Sequence, residues 1–364
     1  MASALATISC AGYLSAVAQD KDSKACEEAL QKLATELRQA CEGIGFFYLT
    51  GFEALLPREL CIRALKAARD AHALDDEVKR EWLLDDADSG FMPAGATTRW
   101  GSLGQPPLPI SNGTVEAVLL WGNGPPWSKR EIKEFDENFM PPESCAAAGL
   151  HRDAWVKDVK EYYCCVRRLA AALLPAYAVA LKMPPDFFDG KFDHACWCIR
   201  MNFYPPPDTS KPIVGIPPHA DGDFATFLLT DDQPGLSVQR ADQEWVHIKA
   251  LPEGAEDFAM IVNSGNSLQR LSNGRWPSTM HTASCFTTKA RYSIPFFWSP
   301  DVDVVIEPLE PWITEHGALY ASRASGKVES SGEVGVHAKR DPLRSDDRAK
   351  SFQIALAKEE FTAV

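Results

Sequence analysis

Two histidines and one aspartate are the residues in this sequence whose types and spacing most clearly suggest chemistry. His219 and Asp221 are separated by one residue, and the β-prone run 224–229 follows them. Side chains at positions i and i+2 lie on the same face of a strand, so these two can project together. His281, in a second β-prone run, is the best third ligand. Two imidazoles and a carboxylate leave half of an octahedron open, which suits an Fe(II) ion that activates O2. The plainer interpretation is three polar residues with ordinary hydrogen bonds.

The remaining histidines are weaker ligand candidates. His151-Arg152-Asp153 has the same spacing but opens a helical segment, where positions i and i+2 point apart. His247 lies between Val246 and Ile248 on a predicted strand. Because these two apolar neighbours should face the core, His247 is expected to face solvent. His316 and His337 lie in an irregular tail.

Arg291 and Ser293 form a candidate anion site. They share one face of a predicted strand that continues into the apolar run 294–298. A buried arginine needs a partner anion, because an unpaired interior charge is very costly. The carboxylate of a small acid fits the guanidinium in a bidentate manner.

A second polar row lies on the predicted strand 197–204. Arg200, Asn202 and Tyr204 share one face of this strand, and apolar residues occupy the other face. Such a row favours a ligand pocket. The alternative is an edge strand that faces solvent.

The first half of the sequence is predicted to be mainly helical. Apolar residues at helical spacing predict helices over 27–41, 60–73 and 154–183, and Pro175 should kink or divide the last of these. A strand is predicted near the N-terminus and a buried strand at 43–49. The region 90–109 is rich in Gly and Pro and is predicted to be a loop that could serve as a lid.

After Pro185 the sequence changes to short β-prone runs separated by turn signals. The seven runs are 197–204, 223–229, 236–239, 245–248, 258–262, 279–285 and 291–298. Seven short strands at this spacing indicate a β-sandwich or jelly roll. The tail beyond Pro308 mixes polar runs with a terminal helical stretch.

Charge and composition restrict the partners that we expect. In 364 residues, 50 acidic side chains oppose 37 basic ones, so the formal net charge is −13. This negative field repels phosphate backbones and anionic lipid. The sequence also contains no uninterrupted run of about 18 apolar residues, the length that would be needed to cross a bilayer. We therefore expect a small-molecule substrate, with neither nucleic acid nor a membrane as partner, and a monomer.

The ten cysteines and the N-terminal composition predict a cytoplasmic protein. The cysteines include no C-x-x-C pair, and no Lys or Arg precedes Lys21, so the charged start of a secretion signal is missing. In a chain of this length, such cysteines are typical of reduced, buried thiols.

Several motifs, taken in order, resemble the isopenicillin N synthase-like family of 2-oxoglutarate- and Fe(II)-dependent oxygenases. The matching segments are Gly45-Phe46-Phe47-Tyr48-Leu49-Thr50-Gly51, Asn202-Phe203-Tyr204-Pro205-Pro206, His219-Ala220-Asp221 with Thr226 and Gly235-Leu236, Leu271-Ser272-Asn273-Gly274 before His281, and Arg291-Tyr292-Ser293. The resemblance covers roughly residues 5 to 305 and is highly specific because several motifs occur in the family order.

The resemblance implies an α+β fold with a double-stranded β-helix (jelly roll, cupin-like) core flanked by N-terminal and C-terminal helices. Its implied regions are a mainly helical dioxygenase region (5–190), the Fe(II)/2-oxoglutarate oxygenase jelly-roll core (191–305) and a helical or irregular tail packed on the core (306–364). It further implies a non-haem Fe(II)/2-oxoglutarate-dependent dioxygenase that uses O2.

The same resemblance implies the ligands of the cofactors. His219, Asp221 and His281 would hold iron. Arg291, Ser293 and Tyr204 would bind the distal carboxylate of 2-oxoglutarate, whose keto-acid end would chelate the metal with Asn202 nearby. The reaction would convert 2-oxoglutarate to succinate and CO2 while an unactivated C–H bond of a small metabolite is hydroxylated, desaturated or closed into a ring.

The sequence indicates the substrate contacts less clearly than the cofactor ligands. Phe297 shares the face of Arg291 and Ser293 and is a candidate substrate wall, with Phe224 and Asp223 as weaker candidates. Arg99 and Arg200 could meet an acidic or amino-acid-like substrate, which would suit natural-product biosynthesis. Arg99, Trp100, Trp121 and Trp127 could line the pocket or simply pack in a loop.

Two positions depart from the family pattern, and rival functions remain open. Gly265-Asn266 stands where Gly-Asp is usual, and Thr282 follows His281 where Arg is common.

One rival function is an isopenicillin N synthase-like Fe(II) oxidase without 2-oxoglutarate, and another is a non-catalytic small-molecule-binding relative. A zinc hydrolase would leave the anion site at Arg291 and Ser293 unexplained.

Overall fold

The computed structural model describes residues 5–84, 89–96, 114–122, 140–207, 215–252, 254–256, 258–314 and 317–325. Its helices are α1 (Ala11–Asp20), α2 (Lys24–Glu42), α3 (Arg58–His72), α4 (Asp76–Arg80), α5 (Glu143–Ala147), α6 (Arg152–Ala172), α7 (Leu174–Ala180) and α8 (Asn266–Leu271). Its strands are β1 (Ala6–Ser9), β2 (Phe46–Thr50), β3 (Gly90–Met92), β4 (Glu116–Gly122), β5 (Cys196–Tyr204), β6 (Ile216–His219), β7 (Ala225–Thr230), β8 (Leu236–Gln239), β9 (Trp245–Ile248), β10 (Met260–Ser264), β11 (His281–Ala283), β12 (Arg291–Ser299), β13 (Val305–Ile306) and β14 (Arg323–Ala324).

Two sheets form the β core. The major sheet has the strand order β1-β2-β10-β7-β12-β5-β4-β3, and the minor sheet has the order β6-β11-β8-β9. Neighbouring strands are antiparallel in both sheets except for the parallel pair β1–β2. With helices beside the major sheet, this is the predicted α+β jelly roll.

Strand alternation separates a helix-side core from a cavity. In β12, Ile294, Phe296 and Trp298 pack in the core that the helices share, whereas Ser293 and Phe297 line the cavity. The strands β5 and β7 alternate in the same way. Because successive side chains of a strand point to opposite faces, one sequence supplies both an apolar core face and a polar site face.

The amphipathic helix α2 shows why the helical layer forms. Ser23 begins it by accepting a hydrogen bond from the backbone N–H of Cys26 at 3.1 Å, as N-cap serines do. Its buried stripe includes Leu30, Leu33 and Leu37, and the helix packs against α7 and α1. The predicted helix over 27–41 is therefore confirmed and extended at both ends.

Pro175 divides the long helical pattern as predicted. Helix α6 ends at Ala172, and α7 begins at Leu174 with the proline in its first turn, where a missing N–H is tolerated. The combined span Arg152–Ala180 is long and apolar enough to cross a membrane by length and composition alone, but more than half of its most apolar part is buried inside the protein. A core helix of a globular protein has the same property.

The structure adds strands that the sequence pattern did not predict. The predicted loop at 90–109 begins with β3, which pairs with β4, and β4 extends the major sheet beyond β5. The strands predicted at 236–239 and 245–248 are confirmed as β8 and β9. Toward the tail, residues 305–325 contain a short 3₁₀ turn and the β13–β14 pair. The terminal helical stretch lies outside the described residues.

Candidate metal centre and anion pocket

The structure brings the three predicted metal ligands together. His219 ends β6 and His281 begins β11, and the two histidines are directly paired in the antiparallel register of these strands. The Oδ1 atom of Asp221 lies 3.6 Å from Nε2 of His219 and 3.5 Å from Nε2 of His281. The three ligand atoms all lie within 4.8 Å of one another. This geometry allows one metal ion to be held by all three side chains.

Backbone carbonyls orient both imidazoles for metal binding. Nδ1 of His219 lies 2.8 Å from the carbonyl oxygen of Pro217, and Nδ1 of His281 lies 3.0 Å from that of Thr279. A carbonyl oxygen can only accept, so each Nδ1 carries the proton. Each Nε2 is left with a free lone pair that faces Asp221, which is the arrangement found in metal-binding histidines.

The carboxylate of Asp221 is oriented by two residues that sequence reasoning did not assign. Its Oδ2 accepts hydrogen bonds from the Thr226 hydroxyl at 2.6 Å and from Asn263 Nδ2 at 2.8 Å. The other oxygen, Oδ1, therefore faces the imidazoles. Thr226 was noted only as part of a motif. The one sequence signal for Asn263 is an amide side chain in β10, whose residues are all buried.

The pKa shifts of Asp221 and His219 favour the protonation states that bind a divalent metal, whereas the shift of His281 runs the other way. Burial alone would raise the pKa of Asp221, but the neighbouring imidazoles of His281 and His219 lower it below its ordinary value. Burial, together with the charge of His281, lowers the pKa of His219 to about 4. Burial also opposes protonation of His281, but Asp221 raises its pKa overall. At neutral pH, Asp221 is therefore a carboxylate and His219 a neutral imidazole, as metal ligation requires.

The predicted anion site lies on neighbouring strands of the major sheet. In the register of β12 and β5, Arg291 is opposite Tyr204 and Ser293 is opposite Asn202. The guanidinium carbon of Arg291 is 4.7 Å from the centroid of the Tyr204 ring. Asn202 Nδ2 donates to Ser293 Oγ at 3.3 Å.

Arg291 is buried and forms no ion pair in the described part of the chain. Its side chain is among the largest that are fully buried, and its Nε and Nη1 atoms have no hydrogen-bond partner there. A Cβ atom at Gly235 would lie 2.6 Å from Cδ of Arg291, so the glycine leaves room for the arginine. An unpaired buried guanidinium is costly, and a carboxylate ligand relieves this cost.

One cavity connects the metal centre and the anion site. Its described lining is Phe46, Arg200, Asn202, Tyr204, Ile216, His219, Asp221, Thr226, Leu228, Leu236, Asn263, His281, Ala283, Arg291, Ser293, Pro295 and Phe297. The minor sheet supplies both histidines, and the major sheet supplies the arginines. The donor set fits Fe(II), and the unpaired guanidinium fits the distal carboxylate of 2-oxoglutarate.

The predicted substrate residues are placed differently from one another. Arg200 and Phe297 line the cavity. Phe224 does not, because its ring is fully buried in an aromatic cluster with Tyr177 and Trp298. Phe224 is therefore a core residue rather than a substrate contact in this structure.

Asp223 lies beside the metal centre and is not part of the cavity lining. Its Oδ1 accepts a hydrogen bond from Ser299 at 3.0 Å, and burial and the charge of Asp221 raise its pKa to about 7. Trp121 is buried on β4 opposite Cys198. The predictions for Arg99, Trp100 and Trp127 fall outside the described residues.

The two departures from the family pattern support the centre through other bonds. The backbone N–H of Asn266 donates to the carbonyl oxygen of Asp221 at 2.9 Å. The Thr282 hydroxyl donates to the carbonyl oxygen of Ile216 at 2.6 Å and so joins β11 to β6. Both residues thus help to hold the ligand-bearing segments in place.

Two family models match this chain. The model of the 2OG-Fe(II) oxygenase superfamily matches residues 195–300, and the model described as non-haem dioxygenase in morphine synthesis N-terminal matches residues 19–110. The first of these includes all three metal-centre residues and the anion site.

The chain is similar in sequence to a named 2-oxoglutarate-Fe(II) oxidoreductase and similar in fold to solved structures. The 2-oxoglutarate-Fe(II) type oxidoreductase ppzC of Metarhizium rileyi is 31% identical over 290 residues, which cover 75% of this chain and 74% of the relative. A 2OG-Fe(II) oxygenase family protein from Caulobacter crescentus has a solved structure with a TM-score of 0.67 at 25% identity, covering 89% of this chain and 96% of that one. The Neurospora crassa T7H structure with alpha-KG and 5-formyluracil has a TM-score of 0.66 at 20% identity, covering 88% and 92%.

The sequence relative establishes the family over most of the chain, and the solved structures agree with the jelly-roll fold. The metal-ligand set and the buried arginine occupy one cavity, as the chemistry of that family requires. The chain therefore belongs to the 2-oxoglutarate–Fe(II) oxygenase superfamily and is a non-haem dioxygenase that uses Fe(II), 2-oxoglutarate and O2.

Proposed function

We propose that this dioxygenase oxidises an unactivated C–H bond of a small metabolite by hydroxylation, desaturation or ring closure. His219, Asp221 and His281 hold the Fe(II). Arg291 and Ser293 bind the distal carboxylate of 2-oxoglutarate. The observation that carries this proposal is a single cavity that holds an oriented metal-ligand set and a buried, unpaired guanidinium.

The residues of the chain have separate tasks in this proposal. When bound, Fe(II) and 2-oxoglutarate supply O2 activation coupled to the formation of succinate and CO2. Tyr204 packs against the guanidinium of Arg291 and holds it toward the cavity. Asn202 fixes the Ser293 hydroxyl through its amide. Apolar side chains such as Leu228 and Phe297 exclude water from the reacting C–H bond.

Features outside the site support a role in specialised metabolism in the cytoplasm. The description of the matched N-terminal model refers to morphine synthesis. None of the ten cysteines, all of which lie in the described part of the chain, forms a disulfide, and all but Cys164 are buried, which suits a reducing compartment. The net charge of −13 opposes nucleic-acid and anionic-membrane partners. We also propose that the protein is a monomer and that its domain boundaries are those predicted from the sequence.

The first test is an anaerobic titration of the Fe(II)-loaded protein with 2-oxoglutarate. We expect a visible metal-to-ligand charge-transfer band, which the metal-free protein does not give. In air, a panel of small metabolites is then screened for stimulated succinate release. Mass spectrometry separates the outcomes: a gain of one oxygen atom marks hydroxylation, and a loss of two hydrogen atoms marks desaturation or ring closure. Fe(II) binding without the band would contradict the proposed 2-oxoglutarate site.

The hydroxyl of Thr226 gives a test of how Asp221 is held. Thr226→Val removes one of the two donors to Oδ2 while keeping the side-chain shape, so the carboxylate can rotate away from the imidazoles. We expect Fe(II) affinity to fall by about 10- to 100-fold, the usual cost of losing such a supporting bond. Competition with a chelator under anaerobic conditions measures this. Thr226→Ser keeps the hydroxyl and should bind iron nearly as the unsubstituted protein does; equal losses in both variants would contradict this role.

A further inference from the structure

Arg200 is a second basic residue in the cavity. It lies on β5, on the same strand face as Asn202 and Tyr204, and it lines the cavity together with the metal ligands. Arg200 and the three metal ligands therefore border the same enclosed space.

No partner for Arg200 is found in the described part of the chain. Its Nε atom is buried and makes no hydrogen bond, and no ion pair involves the guanidinium there. The neighbouring strand residues are apolar: Leu119 of β4 is opposite Arg200 in the register, and Pro295 and Phe297 of β12 line the same cavity. A guanidinium in such surroundings is costly unless an anion pairs with it.

The distal carboxylate of 2-oxoglutarate does not explain this arginine. That carboxylate is assigned to Arg291, which is opposite Tyr204 in the register. Tyr204 and Arg200 are four residues apart on one strand, which is about 13 Å along the backbone. The two guanidinium groups therefore serve two different positions in the cavity, one on either side of Asn202 and Ser293.

We infer that Arg200 binds the carboxylate of the substrate and that the enzyme prefers small monocarboxylates with an apolar body. The fork of the guanidinium accepts a carboxylate in a bidentate manner. Phe297, Pro295 and Leu228 contact the apolar body, and the distance of a C–H bond from this anchored carboxylate determines whether it reaches the metal. This inference rests on the proposed function, because it assigns the substrate of that same site.

The test compares acids with their methyl esters. The probes are aryl- and alkylalkanoic acids, each paired with its ester, added anaerobically to the Fe(II)- and 2-oxoglutarate-loaded enzyme. The change that each probe causes in the charge-transfer band gives its Kd. For at least one pair we expect the acid to bind about 30-fold more tightly than the ester, as for other buried charge pairs.

Variants of Arg200 decide the assignment. Arg200→Met should reduce the acid-to-ester preference to about one, because Met keeps length and apolar contacts but no charge. Arg200→Lys should give an intermediate preference, since it keeps the charge without the fork. In both, the Kd of 2-oxoglutarate should stay near its original value. Arg240→Met, at a pair with Asp242 exposed to solvent, is the matched control and should retain the full preference.

The outcomes separate this inference from the proposed function. No charge-transfer band in the unsubstituted enzyme would overturn the proposed function and this inference with it. A band without any acid preference in the unsubstituted enzyme, or a preference that survives in Arg200→Met, would overturn only the role of Arg200. Loss of 2-oxoglutarate binding in both Arg200 variants, with iron still bound, would also overturn it by placing Arg200 on the co-substrate.

Discussion

Asp221→Asn is expected to lose Fe(II) as completely as Asp221→Ala, although asparagine has the shape of aspartate. The Thr226 hydroxyl and the Asn263 amide both donate to one oxygen at this position. They will hold the oxygen of the new amide and so turn its NH2 group toward the two imidazoles. An amide nitrogen has no lone pair for a metal. The substitution therefore replaces a ligand with a group that cannot coordinate.

The expected size of this effect is large. Loss of one member of a buried charged set typically costs about 3–5 kcal/mol, which is on the order of 10²- to 10⁴-fold in affinity. Chelator competition measures the Fe(II) affinity, and succinate release should fall at least in parallel. The exposed Asp232, whose carboxylate accepts a hydrogen bond from the Gln233 amide, provides the control Asp232→Asn. Iron affinity close to that of the unsubstituted protein in Asp221→Asn would show that this carboxylate is not a ligand.

The metal ligands could be predicted from the sequence because their geometry is mostly local. One residue separates His219 from Asp221, and a β-prone context predicts a common face. The third ligand, His281, was predicted from its own β-prone run, and the β6–β11 pairing places it opposite His219. Ligand types and strand propensity were thus sufficient for this part of the site.

The supporting hydrogen bonds could not be predicted in the same way. Asn263 is 42 residues from Asp221, and it reaches the carboxylate because β10 pairs with β7 and places Asn263 opposite Thr226. Strand order in a sheet depends on packing of the whole fold, which residue spacing does not encode. A buried amide in an apolar strand is the only local sign of such a role.

Phe224 shows that closeness in sequence to the metal pair does not predict a place in the site. It was a candidate because it comes soon after Asp221, but residues 222–224 are not a strand, so strand alternation does not fix the direction of its side chain. The backbone N–H of Phe224 donates to the carbonyl oxygen of Trp298, and the ring enters the aromatic cluster on the helix side.

Strand β4 was also not predicted. It is the neighbour of β5 in the sheet but is far from it in the sequence, so the pairing that completes this edge of the sheet is not visible in local residue patterns.

Arg291→Met is expected to raise the KM for 2-oxoglutarate by about 30-fold or more, because truncating one partner of a buried charge pair costs about 2–5 kcal/mol. Methionine preserves the packing against Tyr204 but offers no donor to the distal carboxylate. Arg291→Lys should also be impaired, since its single ammonium cannot form the fork. Fe(II) affinity should remain near that of the unsubstituted protein, because Arg291 packs against Tyr204 and makes no hydrogen bond or ion pair with the three metal ligands.

The co-substrate and the iron can therefore be measured independently in these variants. Charge-transfer titration gives the Kd of 2-oxoglutarate, and succinate release at high 2-oxoglutarate shows whether saturation restores turnover. Arg80→Met on α4, where the side chain is exposed, is the control for the loss of an arginine. If Arg291→Met kept its affinity for 2-oxoglutarate, the distal carboxylate would have to lie elsewhere. Arg200 is then the other arginine in the described cavity that could bind it, and the two arginines would exchange their assigned ligands.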